Sequence, residues 1–178
     1  MDYTTITLKA AAKAMEDAVL PALSAAGEQQ ALEQAHLVWD AIRFVADRVD
    51  LVAARRRAEA IALIDLVGRL AELDAVDDAT TARLGGIRSA AMARIADPET
   101  TAEGYAVVIA GLGDEVTAVL RTADQLAPAQ RAGVERTVLA HALRRLELDR
   151  SWLLPLGFDP DPAGVPELAG LLAAGTTG

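Results

Sequence analysis

The chain has 178 residues, a net charge of −9, 52% hydrophobic but only 3% aromatic residues, and no cysteine. The missing thiols exclude disulfide frameworks, thiolate metal sites and cysteine catalysis. The acidic balance opposes nucleic-acid binding, which rests on neutralising phosphates.

A core drawn from Ala, Leu, Val and Ile favours close-packed helices, because alanine loses no side-chain entropy and lets backbones approach. No apolar run reaches the roughly 20 residues of a membrane span, since charges such as Asp65 and Arg69 interrupt the richest stretch. The start Met1-Asp2-Tyr3-Thr4-Thr5 lacks the basic and apolar regions of a secretory signal. A cytoplasmic location is therefore expected.

The first predicted helix covers residues 5–25, with Leu8, Ala12, Met15, Val19 and Leu23 at helical spacing and Gly27 closing it. Pro21 lies inside and should kink it. The second, residues 28–49, has a core stripe of Ala31, Ala35, Val38, Ile42, Val45 and Val49. Leu32 and Trp39 flank it on one side and Leu37 and Phe44 on the other, so this helix is expected to be central or packed on two sides. Asp50 is the only break signal before a third helix over residues 52–73, and one continuous helix is the alternative. Asp74 to Asp78 reads as a turn and cap.

The fourth helix covers residues 79–96, weakened by Gly85-Gly86 and stopped by Asp97-Pro98. Thr100-Thr101-Ala102-Glu103 opens the fifth as a capping box, running to about residue 125. Gly104, Gly111 and Gly113 on it are expected at close approaches. Pro128 sits well in the first turn of a sixth helix ending near Trp152. Prolines at 155, 160, 162 and 166 then indicate an extended strap and a short terminal helix. The expected fold is an all-α, single-domain bundle of about six helices over residues 1–152. Residues 153–178 form a C-terminal strap and short helix packed on it.

Two clusters carry chemistry. His36, Asp40, Arg43 and Asp47 share one strip of the second helix, opposite its apolar stripe. The strip reads as a solvated face held by ion pairs or, because the aromatic neighbours Trp39 and Phe44 suggest cover by another helix, a second subunit or a ligand, as an interface with His36, Trp39, Phe44 and Asp47 as its candidates. In the sixth helix, Val134, Val138, Leu148 and Trp152 form an apolar stripe with His141 inside it and Arg145 beside. Both polar residues should point inward, with Asp149, Asp40, Asp47 or Glu33 as the partner Arg145 needs. His141, Arg145 and Trp152, joined by Asp40 and Arg43, are the ligand-binding candidates.

Other patterns are incomplete. Glu33-Gln34-Ala35-His36 has the Glu-x-x-His spacing of di-iron bundles, but no second such pair exists and His141 follows Val138 at that spacing. Neither a metal nor a cofactor is expected. Arg55-Arg56-Arg57 reads as a solvated helix start, since adjacent helical residues point in different directions. No nucleophile motif, phosphate loop or basic recognition helix is present. The expected function is a non-catalytic accessory, assembly or regulatory protein, a homodimer or a subunit of a larger complex. The strap from Trp152 to Phe158 offers a further docking surface. The alternative is a binder of a small anionic ligand, or an enzyme, with an internal His/Arg pocket.

Overall fold

The computed structural model describes residues 3–174. The protein is an all-α helical bundle, as its composition predicts, with no strand among the described residues. Its helices are α1 (Thr4–Ala14), α2 (Leu20–Ala26), α3 (Gln29–Arg48), α4 (Val52–Ala71), α5 (Asp78–Ala96), α6 (Ala102–Ala123), α7 (Pro128–Leu153) and α8 (Leu168–Ala174). They resolve into two compact units. One comprises residues 3–52 with Trp152–Pro162, the other Ala53–Ser151 with residues 163–174.

In the first unit, α1 and α2 are joined by a π-helical turn, Met15–Val19. Pro21 stands at the start of α2, where its missing N–H costs nothing further. The expected kink is thus a wide turn placed ahead of the proline. Gly27 closes α2 in the left-handed conformation at φ +73°. Ala12 of α1 and Ala35 and Ala46 of α3 are buried, and α1 packs on α3.

Such small residues set which face of α3 turns inward. Leu32, Trp39 and Ile42 accompany Ala35 and Ala46 on the covered side, while Leu37, Val38 and Val45 are exposed. The expectation of a central second helix is therefore corrected. Val38 and Val45, assigned to its core stripe, face solvent. Asp50 does not cap α4. It sits in a 3₁₀ turn, Val49–Leu51, and accepts a hydrogen bond from Thr5 Oγ1 at 2.9 Å.

The second unit holds the main core. Leu63, Val67 and Leu70 of α4 meet Leu84 and Ala91 of α5, Leu112, Val116 and Val119 of α6, and Val134 of α7. Spacings of three, four and seven put each set on one helical face, and each fully buried leucine contributes about 1.5–3 kcal/mol. The turn over residues 74–78 supplies its cap, but the expected capping box over residues 100–103 does not form, the cap falling one residue later while Thr100 Oγ1 donates to the Arg94 carbonyl. Asp77 accepts from Thr80 N–H at 2.7 Å to start α5, and Thr101 accepts from Gly104 N–H at 3.2 Å to start α6. Of the glycines expected at close approaches, only Gly104 is crowded, and by Thr100 of its own cap; Gly111 has ordinary contact with Ile87 and Gly113 faces open space.

The proline-rich segment begins with a 3₁₀ turn, Leu154–Leu156, closed by left-handed Gly157. Phe158 beyond it is 84% exposed. No described helix is long and apolar enough to cross a membrane.

Candidate functional site

The second unit contains an open cleft of about 820 Å³ bounded by α4, α5, α7 and Leu171 of α8. Alanines make the space. Ala58 and Ala62 of α4 and Ala96 of α5 end at Cβ where larger side chains would fill the gap. Ile61, Leu63, Ile64, Ile95 and Leu148 give it an apolar lining.

Charge gathers at its walls. Arg57, Arg88, Arg144, Arg145 and His141 line it, together with the carboxylates Glu59, Asp65 and Glu147. Two of those carboxylates are already neutralised by residues outside the lining. Glu59 accepts from Arg55 Nε at 3.0 Å, and Asp65 pairs with Arg69 at 3.0 Å. Arg144 also reaches Asp65, at a longer 3.5 Å. Arg88 has no ion-pair or hydrogen-bond partner among the described residues. The cleft is thus left with a cationic surplus in a chain of net charge −9.

His141 is half-buried on the cleft side of α7. Burial holds its imidazole below the ordinary histidine value, and the Arg145 and Arg144 charges add to the depression. The backbone hydrogen bond with Ala62 and the Asp65 carboxylate pull the other way.

Arg145 differs from expectation. Its side chain is 53% exposed rather than inward, and it lies 3.8 Å from Asp149. That carboxylate is held more closely by Arg55, whose Nη2 donates to Asp149 Oδ1 at 2.6 Å. Arg55, read in the sequence as part of a solvated helix start, is instead partly buried and bridges Glu59 and Asp149. Asp149 is thus shared, Arg55 holding Oδ1 while Arg145 keeps the longer contact to Oδ2.

The structure brings His141 and Arg145 together in one cleft but does not gather the other ligand candidates there. Asp40 and Arg43 are exposed on α3 in the first unit, and Trp152 is buried in that unit. The carbonyl of Trp152 accepts from Arg48 Nε at 3.1 Å, and the Arg48 guanidinium lies 5.6 Å from its ring centroid. Arg88 and Arg144 were missed, although the spacing of Arg144 three residues after His141 was a usable signal. Nothing in the sequence tied Arg88 to α7.

The interface candidates do not share one exposed flank of α3: His36 and Asp47 are exposed, whereas Trp39 and Phe44 are half-buried. His36 is exposed and its Nδ1 lies 2.9 Å from the Leu32 carbonyl. Arg43 stacks over Trp39 at 4.6 Å from the ring centroid, and Arg48 lies 6.0 Å from that of Phe44. The Trp39 Nε1–H is buried without a hydrogen-bond partner among the described residues. Arg43 and Asp47 border a shallow pocket of about 230 Å³ with Lys9, Lys13 and Glu16 of the first unit. No group of three or more metal-ligating side chains occurs among the described residues. No family model, no curated protein and no solved structure matches the chain.

Proposed function

We propose that the second unit binds a small amphiphilic anion, a carboxylate or phosphate bearing an apolar tail, in the cleft between α4, α5 and α7. The supporting observation is the convergence of Arg88, Arg144, Arg145 and His141 on a cleft with apolar lining. Its volume lies within the range of ligand pockets, and sites of this kind combine apolar walls with a few convergent polar groups. Guanidinium forks suit the paired oxygens of a carboxylate or phosphate. The aliphatic lining then takes the tail.

Neutral His141 contributes a ring edge whose protonation an incoming anion would favour. Glu147, the lining carboxylate that no cation neutralises among the described residues, gives selectivity, since it would repel an anion placed away from the arginines. This is the pocket alternative of the sequence reading, relocated from an enclosed interior to an open cleft.

Isothermal titration with decanoate, and with inorganic phosphate as a head-group-only probe, tests the reading. Decanoate is expected to bind one per chain and more tightly than phosphate. Replacing Arg88 and Arg145 together by alanine should weaken it at least about tenfold, or about 1.4 kcal/mol. Absence of decanoate binding, or equal affinity in the double variant, would sink the proposal.

Assembly through protein contacts stands as the second reading. It is favoured by a different observation, the bare leucines of α7.

A further inference from the structure

The helix α7 carries an apolar stripe that the described residues of its own unit leave uncovered. Leu139, Leu143 and Leu146 follow at spacings of four and three and are 62%, 64% and 54% exposed. At roughly 100° per residue, they lie about 120–180° round the helix from Val134, which is fully buried in the core. Single exposed leucines are ordinary, but consecutive ones at heptad spacing form the seam that a partner helix fills.

Two charged residues bracket this seam. Arg136 precedes it and Glu147 follows it, and both are exposed. Neither has an ion-pair or hydrogen-bond partner among the described residues. Their separation is close to three whole turns, so they stand within about 20° of each other on the same side of the stripe.

We infer that this face pairs with the same face of a second copy of the chain, with the two α7 helices antiparallel. A two-fold axis level with residues 141–142 sets Leu139 of one copy opposite Leu143 of the other. The same axis sets each Arg136 opposite the other copy's Glu147, twice over. A parallel pairing would instead leave the two Arg136, and the two Glu147, at one level on opposite flanks of the seam, so that neither charge would meet its opposite. The charges therefore select both the occupant and its direction, and the contact is isologous. A seam of about three turns is small beside the roughly 800 Å² per partner of a standard interface, so the dimer is weak, with a dissociation constant on the order of 10–100 µM.

Sedimentation equilibrium of the full chain over about 1–500 µM reads this directly. The apparent mass is expected to rise from one chain toward two, and Leu143→Glu should hold it at one throughout. Arg136→Glu and Glu147→Arg should each weaken the dimer several-fold, and the combined exchange should restore it. Circular dichroism confirms that each variant is folded, and Leu139→Lys reads the same face if Leu143→Glu is not. A wild-type chain that stays monomeric would overturn the proposal. So would a dimer that survives Leu143→Glu and Leu139→Lys, or a combined exchange that restores nothing.

Discussion

A Cβ on Gly68 would stand 3.0 Å from Nε and 3.2 Å from Cζ of Arg88. The bare backbone of α4 is what allows the Arg88 guanidinium to lie against that helix at the cleft. Gly68→Ala forces the arginine to shift, while helix propensity gains about 1 kcal/mol. Because Arg88 is exposed and flexible, stability should be unchanged or raised by up to about 1 kcal/mol, with decanoate affinity lowered. Urea unfolding and titration of one preparation separate the two effects. A fall in stability with unchanged affinity would show that Arg88 does not depend on Gly68.

Arg55 supports the cleft from behind. Its bonds to Glu59 and Asp149 are partly buried, charge-assisted and short. A double-mutant cycle of Arg55→Ala and Asp149→Ala should give a coupling of about 1–2 kcal/mol, more than an exposed pair contributes. A coupling near zero would reduce the bridge to a surface contact.

His141 makes stability depend on pH. Its folded-state value lies below the reference value of 6.5, so the unfolded chain takes up the proton first as pH falls. The contribution is fully present above 6.5 and is lost as pH falls below it, toward the depressed folded value. His141→Gln should flatten the stability profile in that window. Anion binding, which favours the protonated ring, should tighten over the same interval. A profile unaltered by the substitution would assign the acid limb to other groups.

The core leucines and the α7 seam should separate in the simplest measurement. Leu112 is fully buried, and Leu112→Ala should cost about 2–5 kcal/mol through lost burial and a residual cavity. Leu143→Ala, at concentrations where the chain is monomeric, should change stability by less than about 0.5 kcal/mol. Chemical denaturation of both variants provides the check. A large loss for the monomeric Leu143 variant would mean that its own chain covers that residue.

Helical periodicity made the element order legible, because apolar spacing, Asp77, Thr101 and Pro128 are local signals acting within a few residues. It also placed His141 and Arg145 near one another, being one turn apart. The orientation of α3 was not legible, because stripes of alanine and of valine compete and only the partner helix decides. Close alanine packing won there, leaving Val38 and Val45 outside. Arg55 taking the closer place at Asp149 joins α4 to α7, a contact that neither helix encodes alone. The seam, by contrast, was readable as Leu139, Leu143 and Leu146. It is obscured by a second apolar stripe on the same helix, so no single side of α7 stands out as hydrophobic.

That doubling has a consequence for how the gene can vary. Between Val134 and Leu148, α7 presents successive residues to the core, the cleft and the leucine stripe. Inserting or deleting one residue there rotates everything after it by about 100°, moving His141 or Leu148 out of place and disturbing all three surfaces at once. Turns such as the one after Asp97 have no such phase to keep. Length changes in this chain should therefore accumulate between helices, with the middle of α7 admitting substitutions but hardly any indels.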